Sequence, residues 1–215
     1  MMGVFAIGLV VLFMPLFGGR NALEYLDNLY NTISKGSAYY IPELREANRK
    51  LAGDSVKMAL GLRSAGEAAQ AVQLLSGAGA RAAAQGAEVT VEGDLGAILA
   101  SCLDDADRMF HNDGAALVRR YHLDERAALH TWWRVLGAAV KDLNRQHRFR
   151  EAKSADAISA KAVECAYNYY RIDPQSIGDR WAVVLFSLLF YVIYTVWYGF
   201  AVLYLFEGAG LKLGH

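Results

Sequence analysis

The segment Trp181–Phe206, WAVVLFSLLFYVIYTVWYGFAVLYLF, decides the fold class because none of its 26 residues is charged. At about 1.5 Å per residue, a helix of this length measures roughly 39 Å and exceeds the roughly 30 Å hydrocarbon core of a bilayer. Apolar side chains surround it on every side, whereas a surface helix of a soluble protein has one apolar stripe. The segment therefore predicts a transmembrane helix.

A second uncharged segment runs from Met1 to Gly19 at the N-terminus. As a helix it would measure roughly 28 Å, close to the thickness of the hydrocarbon core. A cleaved signal peptide is the alternative, but the segment lacks a basic start, and residues 15–20, PLFGGR, form a poor small-residue cleavage site. We therefore expect an α-helical membrane protein with transmembrane helices at 1–19 and 181–206 and a short tail at 207–215.

Basic residues indicate how the two predicted spans are oriented. The ends that face the central region carry Arg20, Lys35, Arg171 and Arg180, whereas the opposite ends have only Lys212 and the N-terminal amine. Because Lys and Arg are enriched in cytoplasmic loops, we expect a cytoplasmic central region in a bacterial inner membrane. A periplasmic location stays open as the alternative, since a connecting segment of about 160 residues can be translocated despite its charges.

Charge balance and cysteine content narrow the classes of partner. The chain has 22 basic and 22 acidic residues. It therefore lacks the net positive charge that would favour binding to nucleic acid. The two cysteines, Cys102 and Cys165, are far apart in the sequence. This spacing suits two free thiols in a reducing compartment and leaves a single disulfide open. The expected partners are the lipid bilayer and other proteins.

The region 20–180 is predicted to form one mostly helical domain. Its first part, 20–53, contains juxtamembrane helices, because apolar residues recur every three or four positions from Leu23 to Ile33. Its middle part, 54–112, is predicted to be a small α+β module. Its last part, 114–172, is predicted to be helical throughout.

The small module is predicted from a change of period. Apolar residues alternate with others at 56–62, which indicates a half-buried strand. Ser64 and Glu67 then form a capping box that begins a helix. Two short strands at 80–85 and 87–92 flank Gly86, and Asp94 caps an amphipathic helix. The predicted order is β-α-β-β-α.

The segment Cys102–Gly114, CLDDADRMFHNDG, is the most acidic part of this module. Asp104, Asp107 and His111 are three and four residues apart, so their side chains share one helix face. Two carboxylates and an imidazole are suitable ligands for zinc, iron or manganese. The alternative, which we prefer, is an ionic or docking face neutralised by a nearby arginine. The candidate arginines are Arg108, Arg119 and Arg120.

The sequence contains none of the common catalytic or cofactor motifs. There is no Cys-x-x-Cys, no His-Glu-x-x-His and no Gly-Lys-Ser/Thr phosphate loop. We therefore predict no catalytic residue and no organic cofactor, and a divalent metal is expected only if it binds Asp104, Asp107 and His111. A non-motif enzyme would have to collect distant residues, for example His111, Arg119, His122 and His130.

The second predicted span carries aromatic residues well inside its apolar run, beyond the interfaces where Trp and Tyr normally gather. A hydroxyl group at this depth is more stable when it is bonded to protein than when it faces lipid. We therefore predict a membrane-embedded protein partner, or a second copy of the chain, on a face formed by Phe190, Tyr194, Trp197, Tyr198 and Gly199.

These observations favour a non-catalytic, membrane-anchored accessory or scaffolding subunit of a larger transport or respiratory complex. Two alternatives stay open. A membrane-tethered sensor would bind a metal or a small ligand through Asp104, Asp107 and His111. A membrane-associated enzyme would use an active site that matches no motif.

Overall fold

The computed structural model describes residues 2–210, with side chains from residue 3 onward. It is mostly helical and contains a small three-stranded antiparallel sheet. The helices are α1 (Met2–Phe13), α2 (Ala22–Ser37), α3 (Ile41–Asn48), α4 (Ala65–Gly77), α5 (Leu95–Phe110), α6 (Gly114–Tyr121), α7 (Glu125–Arg145), α8 (Phe149–Ile158), α9 (Cys165–Tyr169) and α10 (Ile177–Gly208). The strands are β1 (Ser55–Gly61), β2 (Arg81–Gln85) and β3 (Glu88–Asp94). Lys212 and the end of the predicted tail lie outside the described residues.

The described chain divides into two compact units. The first, called here the anchor unit, consists of residues 2–37 and 173–210 and contains α1, α2 and α10. The second, called the central unit, consists of residues 38–172 and contains the sheet and the other helices.

α10 is the one helix of residues 2–210 that is long and apolar enough to cross a membrane. Its 32 residues measure about 48 Å. The helix begins where the Ser176 hydroxyl accepts a hydrogen bond from the Gly178 N–H, as an N-cap does. Large apolar side chains such as Phe186 and Leu189 are exposed on its surface.

α1 is shorter than the predicted span at 1–19. It ends at Phe13 after 12 residues, about 18 Å, which is less than the thickness of the hydrocarbon core. Pro15 disfavours a helical conformation at the residue before it, and Gly18 and Gly19 adopt left-handed backbone angles, with φ of 61° and 83°. A second transmembrane helix is therefore not confirmed.

The three helices of the anchor unit contact one another. The Phe5 ring of α1 stacks on Tyr194 of α10 at a centroid distance of 5.0 Å. Tyr30 of α2 shares a hydrogen bond of 2.6 Å with the Ser187 hydroxyl of α10. These contacts bury one stripe of α10 and leave the rest of its surface open.

The sheet of the central unit confirms the predicted module. The element order is β1, α4, β2, β3, α5, and the strands lie in the order β1-β3-β2, with both pairs antiparallel. The predicted N-cap is present, because the Glu67 N–H donates to the Ser64 hydroxyl. The Glu67 carboxylate also reaches back, but it accepts from the N–H of Arg63, one residue before the N-cap. Alternate residues of β1 and β3 are buried against the helices: Val56, Met58, Leu60, Val89 and Val91.

The free edge of β1 is covered by the C-terminal end of α7. Asp142 accepts a hydrogen bond from the Ala59 N–H, and the Gln146 side chain donates to the Lys57 carbonyl at 2.9 Å. Unpaired strand edges invite pairing with other chains. Two side chains at the end of α7 thus satisfy two of the backbone groups on this edge.

α5 passes close to the turn that precedes β1. A Cβ atom added at Gly96 would lie 2.6 Å from the Leu51 carbonyl oxygen and 2.9 Å from the Ala52 Cα, which are both backbone atoms. By contrast, Gly137 is exposed in the middle of α7, and a Cβ atom there would meet no atom within 4 Å. A methyl group added at Gly96 would therefore collide with backbone atoms, whereas one added at Gly137 would not.

We expect Gly96→Ala to destabilise the protein by about 1–3 kcal/mol, since the added methyl group forces the backbone apart. Gly137→Ala is the matched control and should stabilise by up to about 1 kcal/mol, because alanine favours a helix more than glycine does. Thermal unfolding of the full chain in detergent, followed by circular dichroism, measures both changes. A melting temperature for Gly96→Ala at or above that of the wild type would show that α5 does not approach Leu51 this closely.

Candidate functional site

The acidic face predicted on α5 is bonded to an arginine from α3. The Arg45 Nη2 lies 2.9 Å from the Asp104 Oδ1 and 2.9 Å from the Asp107 Oδ2, so one guanidinium bridges the two carboxylates. Arg45 precedes them by about 60 residues, and α3 brings it alongside α5. The predicted neutralising arginine therefore exists, but it is none of the three candidates close in sequence.

Asp107 accepts two further interactions on this face. The Tyr39 hydroxyl donates to its Oδ1 at 2.8 Å, and the His111 Nδ1 lies 3.0 Å from the same oxygen. Burial, followed by the hydrogen bond to Asp107, raises the pKa of Tyr39 above its ordinary value. His111 caps the end of α5, and its ring packs edge-on to that of Tyr39.

The structure places the three residues predicted as metal ligands on one face of α5. Within residues 2–210, no group of three or more His, Cys, Asp or Glu side chains is arranged to hold a metal ion. Asp104 and Asp107 direct oxygen atoms at Arg45. This geometry is that of an ionic cluster joining α3 to α5.

A second aspartate of the same helix, Asp105, is completely buried. Its Oδ1 accepts a hydrogen bond from the Arg120 Nη1 at 3.0 Å. Its Oδ2 accepts from the Tyr121 hydroxyl at 2.6 Å and from the Trp132 Nε1 at 2.8 Å. Arg120 also donates to the Gly77 carbonyl at the end of α4, so this one carboxylate ties together helices α4 to α7.

The surroundings of Asp105 are those of a structural group. Burial, and then the hydrogen bond to Asp105, raise the pKa of Tyr121 well above its ordinary value. Burial also raises the pKa of the Cys102 thiol, which is on the same side of α5. A neutral tyrosine and a protonated, inaccessible thiol do not supply a base or a nucleophile at neutral pH. Sequence reasoning missed Asp105, although its position between Cys102 and Met109 on the apolar stripe marks it as buried.

A shallow groove lies between α7 and the end of the central unit. It has a volume of about 380 Å³ and is lined by Leu129, His130, Trp133, Val163, Glu164, Tyr167 and Asn168. The Trp133 Nε1 donates to the Glu164 carboxylate at 2.8 Å across it. Its far wall is a π-helical turn, Ser159–Glu164, that joins α8 to α9. Such turns are frequent at functional sites, but no sequence pattern indicates this one.

The four residues suggested for a non-motif active site have different neighbours in the structure. His111 contacts Tyr39, and His130 lies in the groove beside Trp133, at a ring distance of 5.7 Å. Arg119 borders a separate cavity next to Asp105. His122 ends α6 with a left-handed backbone conformation, φ 51°.

The residues predicted to bind a membrane partner are on two sides of α10. Tyr194, Trp197 and Tyr198 all contact the Phe5 ring of α1, with centroid distances of 5.0, 6.2 and 5.5 Å. Phe190 continues the same ridge by stacking on Tyr194 at 5.8 Å. Gly199 is exposed, and a Cβ atom there would meet nothing within 4 Å. Three residues of the predicted partner face thus contact α1 of the same chain.

Comparison of the chain with protein-family models, with curated proteins and with solved structures finds no match.

The Asp105 cluster yields a test on the central unit. Tyr121→Phe removes one hydrogen bond to a buried carboxylate while keeping the ring, so we expect a loss of about 1.5–3 kcal/mol in the free energy of unfolding. Because the pKa of Tyr121 is raised by folding, this contribution is present at neutral pH. It should shrink as the pH rises above about 10, where the unfolded tyrosine ionises.

Urea unfolding of the full chain in detergent, at neutral and at alkaline pH, measures this difference. Tyr167→Phe is the control, since its ring is 38% exposed and the change should cost less than about 0.5 kcal/mol. Equal stability of Tyr121→Phe and the wild type at neutral pH would contradict the role assigned to the Asp105 cluster.

Proposed function

We propose that the chain is a membrane-anchored accessory or scaffolding subunit of a larger transport or respiratory complex in a bacterial inner membrane. The observation that carries the proposal is α10, whose 32 residues include the uncharged run 181–206 and whose surface is mostly open. Apolar side chains exposed over this length are stable in lipid or against another membrane protein.

The N-terminal segment is proposed to enter the same bilayer. Phe5 contacts Tyr194 and Tyr198, which lie 14 and 18 residues beyond Arg180, or about 21–27 Å along the helix. This depth is most of the roughly 30 Å thickness of the hydrocarbon core. This packing supports an N-terminal segment that crosses the bilayer, with α1 inside it and the non-helical residues 14–17 near its surface.

The central unit is proposed to be cytoplasmic. Arg20, Lys35, Arg171 and Arg180 lie toward the central region, as the positive-inside rule requires for a cytoplasmic domain. The internal bonding of the central unit supports a scaffolding role. Its charged clusters at Asp105 and at Asp107 are bonded to groups of the same unit. The groove beside Trp133 and Tyr167 offers exposed aromatic rings of the kind that dominate protein interfaces.

The membrane partner is proposed to bind the face of α10 that α1 leaves open. Gly199 is five residues from Tyr194, about 140° around the helix from the stripe that contacts Phe5. Val192 and Val196 are exposed on the same side as Gly199, with exposed fractions of 57% and 53%. Small residues at such a face allow two helix backbones to approach closely.

Gly199→Leu tests this partner face, because the larger side chain would hold a neighbouring helix away. We expect the wild-type chain, extracted with its surrounding lipid in polymer nanodiscs, to be part of a particle heavier than the 23.6 kDa monomer. We expect Gly199→Leu to release most of the chain as monomer. Native mass spectrometry of the extracted particles measures both results.

Phe186→Leu is the matched control. Phe186 is 68% exposed and lies about 140° around α10 from Gly199, so this change should leave the particle intact. A wild-type chain that runs as a lone monomer would overturn the proposed function. A heavy particle that survives Gly199→Leu would overturn the assignment of the partner face.

A further inference from the structure

The anchor unit contains a cavity that the proposed scaffolding role does not use. It has a volume of about 300 Å³ and lies between the turn at residues 17–20, helix α2 and the start of α10. This size is at the lower end of the range found for small-ligand sites. The lining residues are Phe17, Gly18, Arg20, Tyr25, Asn28, Leu29, Thr32, Gln175 and Arg180.

The described lining carries two positive charges and no negative one. Arg180 is held in place because its Nε donates to the Gln175 Oε1 at 3.0 Å. The backbone of Arg20 is fixed by two hydrogen bonds with Phe17, of 3.0 and 3.2 Å. Within residues 2–210, neither guanidinium forms a salt bridge with a carboxylate.

The acidic residues nearest in sequence have other partners or another position. The Glu24 carboxylate accepts a hydrogen bond from the Asn21 N–H, and the Asp27 carboxylate accepts one from the Asn31 amide. Asp179 is in the first turn of α10 beside Arg180, but it does not line the cavity. No acidic residue of the described chain therefore lines the cavity beside the two arginines.

The other walls suit a polar anionic group with an apolar attachment. Asn28 and Tyr25 contribute an amide and a hydroxyl group, both of which can donate hydrogen bonds. Phe17 stacks on the Tyr25 ring at 5.2 Å and gives the cavity an apolar side. Arginine binds phosphate oxygens with two parallel hydrogen bonds, so a phosphate group fits this set of donors.

The position of the cavity along α10 indicates that the phosphate belongs to a lipid. Arg180 is the last charged residue before the uncharged run that begins at Trp181. Ile177 and Trp181 beside it are 58% and 63% exposed, as expected for side chains that meet the edge of the acyl chains. At this level a bilayer presents lipid phosphates, and basic pockets next to membrane helices bind such headgroups.

We propose that this cavity binds the phosphate of an anionic phospholipid headgroup, held by Arg20 and Arg180. The proposal rests on the membrane anchoring proposed for α10. The bound phosphate offsets part of the positive charge of the two arginines and joins the turn at 17–20 to the start of α10, so the lipid becomes part of the anchor.

The test compares lipid binding to the full chain in detergent by native mass spectrometry. We expect phosphatidylglycerol to bind more tightly than phosphatidylcholine. The double variant Arg20→Gln/Arg180→Gln should weaken the binding of phosphatidylglycerol about tenfold or more, since charge-assisted hydrogen bonds are lost. Arg171→Gln is the control, because it removes one exposed positive charge that does not line the cavity.

Other results would overturn the cavity as the site, the lipid as the ligand or the anchoring. Equal affinity of the double variant and the wild type for phosphatidylglycerol overturns the cavity as the site, and so does an equal loss in Arg171→Gln. Displacement of phosphatidylglycerol by millimolar inorganic phosphate assigns the site to free phosphate and overturns the lipid. Flotation of the wild type and the double variant with liposomes is measured in parallel. Failure of the wild type to float would overturn the anchoring, whereas flotation of both chains with unchanged lipid binding would overturn only the lipid site.

Discussion

The uncharged run of α10 is the constraint on which the account of this protein depends. Large apolar side chains such as Phe186, Tyr191 and Ile193 are more than 60% exposed along it, and this surface is unstable in water. α1 and α2 cover only one stripe, through Phe5 and Tyr30. We propose that a bilayer, with or without a partner helix, covers the remaining faces of α10.

The central unit is organised by a different interaction, the burial of the Asp105 carboxylate. A buried charge is costly unless it is paired and fully hydrogen-bonded. Arg120, Tyr121 and Trp132 meet that requirement from α6 and α7, so the position of α5 depends on both helices. The cluster at Arg45 and Asp107 is more exposed, and solvent weakens such pairs. We therefore regard Asp105 as the polar centre of the core and the Arg45 cluster as a surface link between helices.

Local patterns predicted much of the fold, whereas contacts between distant segments could not be read from the sequence. Alternation at 56–62 and the N-cap at Ser64 depend on neighbouring residues, and both are present as predicted. Arg45 was missed because only the packing of α3 on α5 brings it to Asp104 and Asp107. The early end of α1 at Phe13 has a local cause in Pro15, which the uncharged composition of 1–19 concealed. The cavity at Arg20 and Arg180 combines residues 160 positions apart, so no motif announces it.

Thiol labelling on the two sides of α10 tests the central claim most directly. Ile177→Cys and Glu207→Cys place one cysteine near each end of the helix, in a background with Cys165→Ser and with Cys102 left buried. For a helix that crosses the membrane with a cytoplasmic central unit, a membrane-impermeant maleimide labels Glu207→Cys in intact cells. It labels Ile177→Cys only after the cells are permeabilised. Labelling of both positions from the same side would show that α10 does not cross the membrane and would contradict the account.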